Sequence, residues 1–235
     1  MMQQYVEIKE KNPNTILFFR LGDFYEMFFD DALTASRELE IVLTKRDCGG
    51  GEKCPMCGIP HHVADVYISK LVSKGYKVAI CEQLEDPKKA KKLVKRDIVQ
   101  VVTPGTIIDS ASLDSSDNNY LMSVSIDKNI IGISYVDINA GLIKFTEINY
   151  KNNEEALKII ENEIAKIAPS EIIFNDNFFN EANIKPKLET SFGLVLTEVE
   201  KYDFNKYVEI INKKLEIDIL KEYKNKTGAI LSLGS

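Results

Sequence analysis

The sequence predicts an α/β protein built on mixed sheets and divided into two domains. Three observations carry this reading. Apolar runs of strand length alternate with helix-period stretches in the first half. In the second half three alternating strands precede a helix–strand–helix succession. Between the halves lies DSASLDSSDNN, residues 109–119, short, polar and rich in Ser, Asp and Asn. The expected domains are residues 1–112 and 118–235, with a linker across 109–117.

In the first half, MQQYVEIKEK (2–11) places Tyr5 and Ile8 on one side of a helix, which Pro13 cannot continue. TILFFRLG (15–22) is a β-rich apolar run stopped by Gly22. FYEMFFDDALTASRELE (24–40) reads as a helix, with Met27, Leu33 and Leu39 at rough helical spacing. IVLTKRD (41–47) reads as a strand with a basic end, and CGGGEKCPMCG (48–58) as a glycine-rich loop. IPHH leads into a helix that turns Val66, Ile68 and Leu71 inward and has Gly75 just past its end. VAICEQL (78–84) and IVQVVTPGTI (98–107) are strands, separated by the basic stretch DPKKAKKLVKRD (86–97), a loop or short helix.

In the second half, YLMSVSID, NIIGISYVDINAG and LIKFTEIN are three strands joined by tight turns. EEALKIIENEIAKIAP is an amphipathic helix with Leu157, Ile160, Ile164 and Ile167 as its stripe. SEIIFND and TSFGLVLTEVE read as strands, and DFNKYVEIINKKL as a helix capped by Asp203. KTGAILSLGS shows no closing element, so the chain is expected to be a piece of a longer one.

Composition narrows the function classes. Hydrophobic residues make up 44% and charged residues 28%, an ordinary globular balance. The net charge of −6 argues against a wholly basic nucleic-acid binder. Residues 1–112 nevertheless balance at 16 basic against 16 acidic, so a polyanion contact is more plausible there, as a local patch. No apolar run reaches the roughly 18–20 residues of a membrane span, and the polar N-terminus lacks a signal peptide's apolar core. A cytoplasmic location follows, and there the four cysteines are expected as free thiols or metal ligands.

Several residues invite chemistry, each beside a plainer reading. Phe24 and Glu26 stand two apart, so an extended chain projects both to one side, as an aromatic wedge and a base-edge hydrogen-bond partner would require. The plainer reading is a strand-to-helix turn whose aromatics are core. Cys54 and Cys57 have knuckle spacing, and Cys48 and Cys81 could complete four thiolates around zinc; buried thiols are the alternative. His61 and His62 are a candidate metal or acid–base pair, or simply a helix-entry turn. Lys45, Arg46 and the run from Lys88 to Arg96 could meet phosphates, or be solvated charge. Asp137 could hold magnesium in a nuclease site, although DINAG also reads as a hairpin turn. No GxxxxGK[ST] loop occurs, so nucleotide hydrolysis is not expected.

The stretches MMQQYVEIKEKNPNTILFFRLGDFYEMFFDDA, LTKRD, PMCGIPHH, VAICEQLEDP and VVTPGTIID, in that order, resemble the N-terminal part of the bacterial MutS family of mismatch-recognition proteins. The match covers residues 1–109, and GDFYEMF and TPGT are specific together. Residues 118–235 resemble the family's connector domain through NNYL and the strand–helix order. The resemblance implies a mixed-sheet mismatch-recognition domain followed by an RNase-H-like connector that lacks that fold's active site. It implies that Phe24 inserts beside a mispaired base from the minor groove and that Glu26 hydrogen-bonds that base. It places Lys45 and Arg46 on a basic loop bordering DNA and Met56, Pro60 and His61 near the groove; Arg96, from the basic run, joins them as a DNA-binding candidate. The implied partners are mismatched duplex DNA, MutL through the connector, and a second copy in the full-length protein, with this piece monomeric. ATP and magnesium would belong to an ATPase domain outside this chain, so neither cofactor nor enzymatic activity is expected here. The implied location is the bacterial cytoplasm, at the nucleoid.

Overall fold

The computed structural model describes residues 1–49, 51, 53–85, 94–107, 119–181, 184–223 and 226–234. The chain divides into two compact units, Met1–Asp109 and Ser110–Ser235. The expected linker at 109–117 and most of the basic run at 86–97 lie outside the described residues.

The first unit contains α1 (Met2–Lys11), β1 (Ile16–Leu21), β2 (Phe24–Phe28), α2 (Phe29–Leu39), β3 (Thr44–Asp47), β4 (Lys53–Pro60), α3 (Ala64–Val72), β5 (Val78–Gln83) and β6 (Arg96–Val102). Its sheet runs β3-β4-β2-β1-β5-β6. Only the β1–β5 pairing is parallel, so the sheet is mixed. The central strand β1 is covered on both faces, which is why Leu17, Phe18 and Phe19 form an unbroken apolar run and are all fully buried. On one face Phe18, Tyr25, Met27 and Ile59 pack with α2 and α3. On the other, Tyr5 of α1 packs against Leu17, Phe19 and Phe28.

Four expectations change in this unit. FYEMF is a strand, because it pairs with β1 on one side and β4 on the other; the helix begins only at Phe29, whose φ of 52° makes the turn. Lys53–Pro60 is also a strand, where the sequence suggests a loop. Residues 41–43 precede β3, leaving Val42 exposed. Helix α3 buries Ala64, Ile68, Leu71 and Val72, while Val66 is exposed.

The second unit contains β7 (Tyr120–Asp127), β8 (Ile130–Asp137), β9 (Leu142–Asn149), α4 (Asn153–Ile167), β10 (Glu171–Phe174), α5 (Ile184–Phe192), β11 (Val195–Glu198), α6 (Phe204–Leu215), α7 (Ile219–Glu222) and α8 (Thr227–Gly234). The strand order is β11-β10-β7-β8-β9. Strands β7, β8 and β9 form an antiparallel meander, and β10 and β11 add in parallel beside β7, the RNase-H-like arrangement. Met122, Val124, Ile131 and Ile133 turn to α4, whose Ile160, Ile164 and Ile167 are buried as its stripe predicts and whose Leu157 is partly buried. Asn152 caps α4 by accepting from the Glu155 N–H, and Asp203 caps α6 by accepting from the Lys206 N–H.

The other face of the same strands carries Ser125, Gly132 and Ser134, and these small residues admit α8. Ser125 and Ser134 donate to the Gly228 and Ser232 carbonyls at 3.1 and 2.9 Å. The Glu147 carboxylate accepts from the Gly228 and Ala229 N–H groups at the helix start. The expectation that KTGAILSLGS closes nothing is therefore corrected. Residues 190–192 belong to α5, and only Val195–Glu198 of the expected last strand pairs.

Candidate nucleic-acid interface

Strands β1 and β2 meet in a two-residue turn, with Leu21 opposite Phe24. Gly22 opens that turn at φ 57°, a conformation glycine adopts without a Cβ penalty. Phe24 thus starts β2 at the sheet rim, where it is 47% exposed. The next residue on the same face is Glu26, and after it Phe28. Helix α1 covers the Phe28 end through Tyr5, so the face grades from a buried aromatic, through a half-buried carboxylate, to an exposed aromatic. Tyr25 turns the other way and donates to the Glu82 carboxylate. Burial, and then this bond, push the Tyr25 phenol up to about 12.

Cross-strand pairing decides which predicted residues share the Phe24 face. Pro60 pairs with Phe24, Gly58 with Glu26 and Met56 with Phe28, so these β4 residues lie on it. His61 follows directly; its N–H donates to the Asp23 carbonyl at 2.9 Å, and its Nδ1 lies 3.0 Å from the same oxygen, which ties β4 to the β1–β2 turn. The His61 and His62 rings meet edge to face at 5.8 Å. On β3 the two basic residues separate. Arg46 is opposite Cys54, on the Glu26 side, and its guanidinium pairs with the Glu26 carboxylate. Lys45 is opposite Pro55 and is exposed toward the other side.

Arg96 is corrected as a DNA contact. It is 7% exposed, and its guanidinium lies 5.1 Å from the Phe19 ring centroid. It donates to the Arg20 carbonyl at 2.8 Å, to Gln4 Oε1 at 3.1 Å and to the Val94 carbonyl at 3.0 Å. Arg96 therefore braces α1 and β6 against β1, its guanidinium taken up by these partners among the described residues.

The cysteine set is corrected as a zinc site. Cys54 and Cys57 stand three apart in an extended strand, so they face opposite sides of the sheet. The spacing resembles a metal knuckle only while the segment is taken for a loop. Cys54 is instead joined to Cys48, with Cα atoms 6.0 Å apart across the base of the glycine loop, which corrects the expectation of free thiols at these two positions. Cys57 and Cys81 are buried thiols, and burial pushes each up to about 12. Among the described residues, no group of three or more His, Cys, Asp and Glu side chains is placed to hold a metal.

Asp137 is corrected as a nuclease residue. It ends β8 buried, and its Oδ1 accepts from the Asn139 and Ala140 N–H groups at 3.0 and 3.1 Å. Its carboxylate makes the hairpin turn that DINAG also suggested.

Two features of the site escaped sequence reasoning. One is the Glu26–Arg46 pair, invisible while Glu26 was assigned to a helix. The other is Gly58, where a Cβ would lie 3.3 Å from the Tyr25 carbonyl oxygen and 3.5 Å from the Glu26 Cγ. A glycine inside PMCGIP was its only signal, since a strand glycine often marks a close approach.

Two family models match the chain: MutS domain I over residues 1–111 and MutS domain II over residues 119–234. The DNA mismatch repair protein MutS of Finegoldia magna is 57% identical over 218 residues, covering 93% of this chain and 25% of that protein. That of Acetivibrio thermocellus is 52% identical over 238 residues, covering 98% and 27%. That of Caldanaerobacter subterraneus is 50% identical over 237 residues, covering 100% and 27%. The chain spans about a quarter of the length of these curated relatives. Among the described residues, no helix is long and apolar enough to cross a membrane.

Proposed function

The chain belongs to the MutS family of DNA mismatch repair proteins, matching its domains I and II, and from that membership we propose that its first unit reads mispaired or unpaired bases in duplex DNA. The observation that carries this reading is the pairing of an exposed Phe24 with Glu26 on one sheet face, at the open rim of β2. An aromatic ring with one side exposed can enter a base step from the minor groove. The step it enters most easily is one that has already lost pairing and stacking energy, because deforming it costs less than deforming a matched step. Stacking on a ring tolerates any base, which suits a reader that must accept many mispairs. Glu26 supplies the second criterion. A carboxylate among phosphates is unfavourable unless a base edge gives it a hydrogen bond, so it disfavours correct duplex.

Met56, Pro60 and His61 line the same side of the sheet and would flank the groove, while Arg46 and Lys45 would reach phosphates on either side of the β3 edge. The second unit, with its RNase-H-like sheet, would relay the bound state to ATPase and clamp domains elsewhere in the full-length protein and present a surface to MutL. In that protein two copies would act together, in the bacterial cytoplasm on nucleoid DNA. ATP and magnesium would bind outside this chain, which would not hydrolyse nucleotide itself.

The test is a mobility-shift titration of the intact protein at low salt against a duplex with one mismatch and its matched counterpart. Phe24→Ala is expected to bring the two affinities together. A variant that keeps the preference for the mismatched duplex would remove the wedge role from Phe24.

A further inference from the structure

The Glu26 carboxylate already has a partner, the Arg46 guanidinium, before any DNA is present. The pair is half-sheltered, its side chains 16% and 39% exposed. Arg46 reaches it from the edge strand β3, diagonally across β4, since Arg46 is opposite Cys54 while Glu26 is opposite Gly58. The residue paired with Glu26 on β4 is Gly58, which sets no side chain beside the carboxylate; a Cβ there would lie 3.5 Å from the Glu26 Cγ. Of Lys45, Arg46 and Arg96, Arg46 alone combines a place on the Phe24 face with an accessible guanidinium.

We infer that Arg46 is a specificity-determining positioning residue: it holds and neutralises Glu26 while the protein scans duplex, and gives it up to the edge of a mispaired base. The inference rests on the mismatch-reading function proposed above. A bare carboxylate at the groove would repel the phosphates of every duplex. Paired with Arg46, Glu26 adds no net charge, and the protein can approach matched DNA. A correct base pair has its Watson–Crick donors committed to its partner and so offers Glu26 less in exchange for the guanidinium. A mispaired base has an uncommitted edge, so it can replace Arg46. The guanidinium that is released lies on the groove side and can take a phosphate instead. The exchange is feasible because a partly exposed ion pair is weak enough for one new hydrogen bond to offset its loss.

The inference makes the roles of Arg46 and Glu26 interdependent, which a double-mutant cycle in the intact protein measures. The variants are Arg46→Ala, Glu26→Gln and the double substitution, each titrated against a duplex with a single G·T mispair and its matched counterpart. With Glu26 present, Arg46→Ala should weaken matched binding about fivefold and mismatched binding about twofold, so that the preference for the mismatch rises. With Glu26→Gln, the same substitution should weaken both duplexes equally, by about twofold, as for one lost phosphate contact. Arg46→Lys, which keeps the charge but loses the fork, should fall between the wild type and Arg46→Ala. Equal losses in both backgrounds, or a preference that falls on Arg46→Ala, would overturn the exchange and leave Arg46 a plain phosphate contact. Thermal melting of each variant separates misfolding from binding; if Arg46→Ala does not fold, the same cycle is read with Arg46→Gln. Phe24→Ala in the same titration tells the two proposals apart. If it keeps the mismatch preference, the wedge reading fails; if it loses the preference while the cycle is additive, only the exchange fails.

Discussion

Gly132 and Gly228 meet so closely in the second unit that a Cβ on Gly132 would stand 1.8 Å from the Gly228 carbonyl oxygen. The obstacle is backbone, fixed by the β7–β8 ladder on one side and by helix α8 on the other, so neither can yield without losing hydrogen bonds. Gly132→Ala should therefore destabilise the unit by on the order of 3 kcal/mol. A Cβ on Gly228 would chiefly meet the Ile130 Cγ2 at 2.6 Å, a side-chain methyl and not backbone, but one on a β-branched residue with a stiff χ1, so Gly228→Ala should cost less than Gly132→Ala, about 2 kcal/mol. Urea denaturation of the two variants measures the difference; equal midpoints would mean that α8 is not held this tightly.

The same contact explains what the sequence hid. Amphipathic helix α4 is legible because its isoleucines recur at helical spacing along a 15-residue element with a side-chain cap. Helix α8 is eight residues long and carries glycine at Gly228 and Gly234, which reads as loop. Its helicity comes from tertiary packing on small residues, and small residues carry no hydrophobic period. At the interface, the grouping of Phe24 with Glu26 was visible from their two-residue spacing, although that segment was assigned to a helix. The strand emerges only when β1 and β4 pair on both sides of it. The same oversight made Cys54 and Cys57 look like ligands, since spacing alone does not tell a loop from an extended strand. The burial of Arg96 is illegible for a related reason: a charge in a basic run reads as solvated until a fold places an aromatic ring and three acceptors around it.

Alkaline pH should destabilise the first unit through its buried phenols. Burial, reinforced by Asp31, pushes the Tyr5 phenol far above its ordinary value, and burial with Glu82 pushes Tyr25 to about 12. Both folded values lie above the unfolded value of 10.0, so the stability these groups contribute is complete below pH 10. It is lost as pH rises, for Tyr25 between about 10 and 12. Tyr5→Phe should lower stability at pH 8 by about 1 kcal/mol, because Asp31 keeps the Leu17 N–H and the Lys9 ammonium as partners. The variant should then lose less than the wild type on going from pH 8 to 11. Urea midpoints at pH 8, 10 and 11 test this; a parallel decline in both proteins would exclude Tyr5 as a source.

Thiol reactivity should separate the cysteines into two classes. Cys57 and Cys81 are buried on opposite faces of the sheet, with thiols pushed up to about 12, so almost no thiolate exists at pH 8. A maleimide should leave both unlabelled in the folded protein and label both in denaturant. Cys48 and Cys54 should resist labelling until a reductant is added, and then Cys48, half-buried, should react faster than the buried Cys54, Cys57 and Cys81. Mass spectrometry of the labelled peptides reads each position; native labelling of Cys57 or Cys81 would contradict their burial.

Phe24 and Phe28 lie on the same face of one short strand, yet they should answer truncation in opposite ways. Phe28 is fully buried and packs edge to face with Tyr5 at 5.1 Å, so Phe28→Ala should cost about 3–5 kcal/mol through lost burial and the cavity left behind. Phe24 is 47% exposed and sits at the rim, so Phe24→Ala should cost less than about 1 kcal/mol. A residue kept for packing loses stability when truncated. A residue held ready for a base loses binding preference and little else. Thermal or urea melting of the two variants, beside the duplex titration, distinguishes these cases. If Phe24→Ala destabilised the unit as much as Phe28→Ala, the ring at the rim would be core after all, and any loss of mismatch preference would follow from unfolding.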